Sequence, residues 1–244
     1  MADKSELAVP IEALRDLVIA NRILANKKVL DAFGHVSIRH PGDPGRFVMS
    51  RSRGPGLVKI EDLMEFTLDC EPVAQRGRPM YAERQIHGAI YRARPDVMAV
   101  CHNHANSVIP FGVTKTQLRP IFHMGSAIGP SVPTWDIHDD FGDTNLLVTK
   151  SDQGESLARA LGPNRVVLMR GHGAAVASKT LREVVFTSIY MQVNAELVIA
   201  AQNLGEIQFL STGEIEHASN LLFSPLSQER SWQTWVSEAG FDGI

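Results

Sequence analysis

Residues 97–104, Val97-Met98-Ala99-Val100-Cys101-His102-Asn103-His104, decide how the rest of the chain is read. A short apolar run that follows Pro95 and ends in polar residues has the length and composition of a buried strand. Alternate side chains of a strand share a face, so His102 and His104 project together while Cys101 and Asn103 point the other way. Two imidazoles on one face at a strand end can share a cation. They can also be a pair of surface histidines at a strand exit.

Working outward, a metal centre needs a third protein ligand. His172, in Met169-Arg170-Gly171-His172-Gly173, follows the apolar strand Val166–Met169, between glycines that permit a sharp turn. A solvent-exposed turn histidine is the other reading. Glu83 lies at the start of a helix over Ala82–Arg92. A carboxylate in a first helical turn ordinarily complements the helix dipole. If this helix packs against strand 97–104, Glu83 lies over the imidazoles as a fourth ligand or a general acid/base.

The 244 residues are 44% hydrophobic and 21% charged, with a net charge of −3. That excludes a disordered chain and gives no global electrostatic reason to bind nucleic acid or an anionic membrane. Nine His stand against two Cys, Cys70 and Cys101, so a metal site would be built from imidazoles and carboxylates and no disulfide framework is available. No apolar leader follows Met1, and no stretch approaches the roughly 20 apolar residues of a membrane span. The expected location is the cytoplasm.

Helical periodicity runs from Leu14 to about Phe33, and strands are expected at His35–His40, Phe47–Ser50 and Leu63–Leu68. A short helix is expected at Ala105–Phe111 and another helix at Gly154–Leu161; short strands and one small helix are expected within 120–150. No element is assigned between Gly173 and Thr180. Thr180 with Glu183, and Ser211 with Glu214, read as capping boxes opening helices to about Asn203 and Leu222. Trp232 and Trp235, three apart in an amphipathic piece at Ser231–Ala239, read as a packing face. Asp136-Ile137-His138-Asp139-Asp140 reads as an acidic surface loop, His40 and His217 as surface residues, and His87 as packed or bonded locally on its helix. Turn residues are spread evenly, so residues 1–244 are expected to form one domain with a C-terminal helical segment at about 206–244.

Together, Gly34-His35-Val36-Ser37-Ile38-Arg39, Glu83, the run Ile90 to Val97, Val100 to His104 and Gly171-His172-Gly173 resemble the class II aldolase/adducin family in order and spacing, over about Ile11 to Gln202. The resemblance implies an α/β fold, a three-layer α/β/α sandwich around a mixed, largely antiparallel sheet. It implies one divalent transition metal per subunit held by His102, His104 and His172, with Glu83 as the resting fourth ligand or catalytic acid/base. Zn2+ suits that donor set, as do Mn2+, Fe2+ and Co2+. It also implies tetramers, or multiples of them, with active sites at subunit interfaces.

The chain departs from the sugar-phosphate aldolases of that family. They place Asn where His35 stands and a Thr-Gly phosphate loop near Ser50–Gly56, which here reads Ser50-Arg51-Ser52-Arg53-Gly54-Pro55-Gly56. They use a Tyr in the segment matching His123-Met124. Arg51 and Arg53, alternating on an extended segment, can grip a carboxylate; a solvated basic loop is the other reading. Ser50 and His123 are further substrate-binding candidates, His123 reaching the pocket from a neighbouring subunit. His35 is a second catalytic candidate, able to titrate near neutrality, or a structural histidine bonded to backbone. This pattern resembles the decarboxylase branch, whose substrates are dihydroxyphthalates and hydroxypyridine dicarboxylates. The expected function is metal-dependent decarboxylation of a hydroxylated aromatic or heteroaromatic acid, with Glu83 or His35 protonating the ring carbon. An aldolase or retro-aldol lyase on a non-phosphorylated hydroxy-keto substrate is the alternative, and a non-catalytic adducin-like scaffold a third reading.

Overall fold

The apolar run at 97–104 forms strand β4 (Ala99–Asn103) in the middle of a seven-stranded sheet. The computed structural model describes residues 7–240. Helix α1 (Ile11–Asn26) precedes β1 (His35–Arg39), β2 (Arg46–Ser50) and β3 (Leu63–Thr67), and α2 (Arg84–Ala93) precedes β4. Helix α3 (Ile109–Gly112), strand β5 (Thr134–Trp135) and helices α4 (Ile137–Phe141) and α5 (Ser151–Leu161) lead to the hairpin β6 (Val166–Met169) and β7 (Gly173–Ser178). Helices α6 (Leu181–Gln202), α7 (Thr212–Leu222) and α8 (Pro225–Glu238) follow. The sheet order is β3-β2-β1-β4-β7-β6-β5. Every pairing is antiparallel except β5 with β6, so the sheet is mixed and largely antiparallel.

Period-two alternation divides the core. Val36, Ile38, Ala99, Cys101, Ala174 and Val176 face α1, α6 and α8. Val100, Ala175 and Ala177 face the opposite way, with Phe47 and Met49, toward α2 and α5. This is the three-layer α/β/α arrangement. Trp232 and Trp235 are buried in the α1/α6 layer, as a packing face should be.

Several local expectations need correction. Helix α1 stops at Asn26 instead of Phe33, because the chain turns at Lys28, whose φ is +58°, and Val29 and Leu30 are buried from a loop. Strand β7 is unforeseen in sequence, since Gly-Ala-Ala-Val-Ala-Ser has little strand propensity; it forms as the middle strand between β4 and β6, pairing with both. His40 is buried, its Nδ1 accepting the Gly42 N–H. Helix α6 is long and apolar enough by length and composition to cross a membrane, but here it is a core helix with Val184, Val185, Met191, Ala195 and Val198 buried beside the sheet and α1. Its Thr180 cap accepts from the Glu183 N–H, while the Glu183 carboxylate turns to Ser178; the Ser211–Glu214 box is complete.

Candidate metal centre

Three backbone segments bring the site together. His102 lies near the end of β4 on the α2 side of the sheet, and His104 follows as the chain leaves the strand. His172 occupies the β6–β7 turn, where Gly171 adopts φ +66°, a conformation glycine accepts without strain. Glu83 is the N-cap residue of α2, which packs over β4. Donor atoms of Glu83, His102, His104 and His172 all lie within 4.8 Å of one another. Glu83 Oε2 is 3.6 Å from Nε2 of both His102 and His172.

The surroundings of two of these rings show what the cluster is built to hold. His102 Nδ1 lies 3.1 Å from the Ala174 carbonyl, and His104 Nδ1 lies 3.1 Å from a carboxylate oxygen of Asp31. Both acceptors require a proton on Nδ1, which leaves each neutral ring an unprotonated Nε2. Those two nitrogens are 3.0 Å apart. Two lone pairs at that distance repel unless a cation lies between them, and a carboxylate completes the donor set. Burial holds His102 far below the usual imidazole range, reinforced by His172, His35 and His104, and burial with His104 lowers His172 to about 4. Neutral imidazoles are the metal-binding form. Burial also raises the Glu83 carboxyl, against the Val148 N–H that its Oε1 accepts. The residues therefore fit a divalent cation with three N donors and one O donor.

Glu83, His104 and His172 open onto a cleft of about 450 Å³, within the range of small-molecule sites, with His102 buried behind them. His35, Ser52, Tyr81, Phe33 and Leu147 line it beside Glu83, His104 and His172. His35 stands directly across from His102 in the β1–β4 ladder.

The other sequence candidates fall elsewhere. Arg51 and Arg53 do not line the cleft, where Ser52 between them does. Both guanidinium groups pair with the buried Asp62 carboxylate, at 2.6 and 3.2 Å, so the carboxylate they grip is internal. Ser50 is buried beside the Tyr81 phenol, behind the cleft wall. His123 borders a separate surface hollow with Leu210, Glu214 and His217 and does not join the cluster. Cys101 faces α6, as strand alternation requires. Asp136 caps α4 and pairs with Arg170. Sequence reasoning missed Asp31, whose signal was a carboxylate just before Phe33-Gly34, where it also accepts both N–H groups. It missed the reach of His87 too: this ring is fully buried and bonds His35 and Ser37 across layers.

The family model for the class II aldolase and adducin N-terminal domain matches residues 15–199. The chain belongs to this family. Among its relatives, Decarboxylase tropJ of Talaromyces stipitatus is 34% identical, over 95% of both chains. The 3,4-dihydroxyphthalate decarboxylase of Arthrobacter keyseri is 26% identical over 78% of each. An aldolase II superfamily protein from Pseudomonas syringae superposes with a TM-score of 0.78 at 24% identity, covering 95% of this chain and 93% of the other, which shows the shared fold. Class II aldolase-family membership and named decarboxylase relatives together support an enzyme of the carbon–carbon lyase kind.

Proposed function

We propose that the protein is a divalent-metal-dependent decarboxylase of a hydroxylated aromatic or heteroaromatic mono- or dicarboxylic acid. The observation that carries this reading is the tautomer-locked meeting of His102 and His104 beside His172 and Glu83, at a cleft walled by Phe33, Tyr81 and Leu147. Similarity to named decarboxylases along most of the chain supports it. Zn2+, or Mn2+, Fe2+ or Co2+, held by those four residues would supply positive charge at an oxygen beside the breaking bond.

The chain's own groups have separate tasks. Phe33, Tyr81 and Leu147 offer carbon surface to an aromatic ring. When the ring–carboxylate bond breaks, its electron pair stays on the ring carbon and CO2 departs. Glu83, when not serving as the resting fourth ligand, has a carboxyl whose protonated form burial favours, and in that form it delivers the proton to that carbon, with His35 as the other donor within the cleft. The reading includes a homotetramer, or a multiple of one, with clefts at subunit boundaries. Phe33, 71% exposed at the rim, supports it, and light scattering tests it.

Metal analysis of the purified protein should find one divalent transition metal per chain. The loaded enzyme should then release CO2 from a member of a panel of hydroxylated phthalates, hydroxybenzoates and hydroxypyridine dicarboxylates. Cleavage of a hydroxy-keto acid, with no CO2 from any panel member, would replace this reading with an aldolase.

A further inference from the structure

Behind the cleft, four side chains form a closed hydrogen-bonded line. His35 Nδ1 lies 2.7 Å from His87 Nε2, His87 Nδ1 lies 2.6 Å from Ser37 Oγ, and Ser37 Oγ lies 2.8 Å from the Tyr91 hydroxyl. Each of the four residues is no more than 1% exposed. The register has a simple origin. His35 and Ser37 are two apart on one strand face, spanning about 6.6 Å; His87 and Tyr91 are four apart on one helix face, spanning about 6 Å. The two elements match rung for rung, and Phe47 stacks against the His87 ring.

One direction of the line leaves a single proton without a protein acceptor, and places it at the cleft end, on His35. The Tyr91 O–H donates to Ser37, the Ser37 O–H to His87 Nδ1, and the His87 Nε2–H to His35 Nδ1. His35 must then carry its own proton on Nε2, the buried atom that finds no partner within the protein. Reversing every bond strands the Tyr91 proton, and letting Ser37 accept from both neighbours strands the Ser37 proton. A buried donor without an acceptor is costly. The Val100 amide beside the Tyr91 oxygen can only donate, which favours the first direction again.

We propose that His87, backed by Ser37 and Tyr91, is a positioning residue that fixes His35 as the Nε2–H tautomer, a hydrogen-bond donor aimed at an anionic oxygen of the cleft ligand. Naming that ligand an aromatic carboxylate rests on the function proposed above; the proton arrangement does not. In this arrangement His35 polarises and orients an oxygen, as neutral imidazoles do in other enzymes, and Glu83 is left to handle the transferred proton.

The test is nitrogen-15 NMR of histidine-labelled, Zn2+-loaded protein, with His35→Asn assigning the signal. Wild type should show a single His35 tautomer with hydrogen on Nε2. His87→Gln, whose amide can accept from Ser37 and donate to His35, should keep it, and His87→Leu should give a mixture of both forms. Hydrogen on Nδ1 in wild type, or a His35 signal indifferent to His87→Leu, overturns the inference. A neutron crystal structure of the wild-type protein reads the same protons without any variant. Failure to release CO2 would remove the decarboxylase reading and leave this result standing.

Discussion

The carboxylate of Asp31 holds His104 in place: His104 Nδ1 lies 3.1 and 3.2 Å from its two oxygens. The same carboxylate accepts the N–H groups of Phe33 and Gly34, so the loop after α1 is folded around the residue that orients a ring of the candidate metal cluster. Carboxylates in this position fix the tautomer of a ligating histidine and raise its basicity. Asp31→Ala should weaken metal affinity about 10–100-fold. Chelator competition measures it, and unchanged affinity would remove Asp31 from the site.

His102 is fully buried at the sheet's centre and faces three of the site's other groups. His102→Ala should lose metal retention and turnover together, read as metal content after gel filtration and as CO2 released. A metal-free His102→Ala protein with full activity would falsify the mechanism.

Burial lowers His87 to about 3, from about 6.5 in an unfolded chain. Between those values the unfolded state binds the extra proton, so stability should fall as pH drops from about 6.5 toward 3. One such group contributes a slope of at most about 1.4 kcal/mol per pH unit. Urea midpoints of the metal-stripped protein at pH 7.5 and 5 should therefore differ less in His87→Gln than in wild type. Equal slopes would mean that the buried ring is not held neutral.

Gly173 lets β7 approach β4 where the site is assembled. A Cβ there would stand 2.1 Å from the Asn103 carbonyl oxygen and 3.1 Å from the His104 ring. Gly173→Ala should cost about 1–3 kcal/mol through overpacking and weaken metal binding by displacing His104. Gly213→Ala, on the open surface of α7 with nothing within 4 Å, is the control and should hold the melting temperature or raise it slightly.

Asp62 joins Arg51, Arg53 and the Lys59 N–H around one buried carboxylate. Asp62→Ala should destabilise the fold by about 1–3 kcal/mol, since it leaves those donors unsatisfied. Metal content should not change. Loss of metal without loss of stability would show that this cluster belongs to the centre after all.

The sequence by itself determined the layered α/β fold, most element positions and the face on which each residue of β4 lies. These are local properties: a two-residue or 3.6-residue period is set by backbone geometry and survives whatever packs around it. His102 with His104 was legible for that reason, and so was Cys101 turning away. The tertiary structure alone decided the rest. It showed that Arg51 and Arg53 spend their charge on Asp62, because ion pairing depends on which carboxylate the fold brings near. It formed β7 from residues of low strand propensity, because β4 and β6 pair with its backbone on both sides. It joined Asp31 to His104 and His87 to His35, contacts between residues 73 and 52 positions apart. No local period encodes such distances; they exist because the ends of central strands, a helix face and a loop meet at one place in the fold.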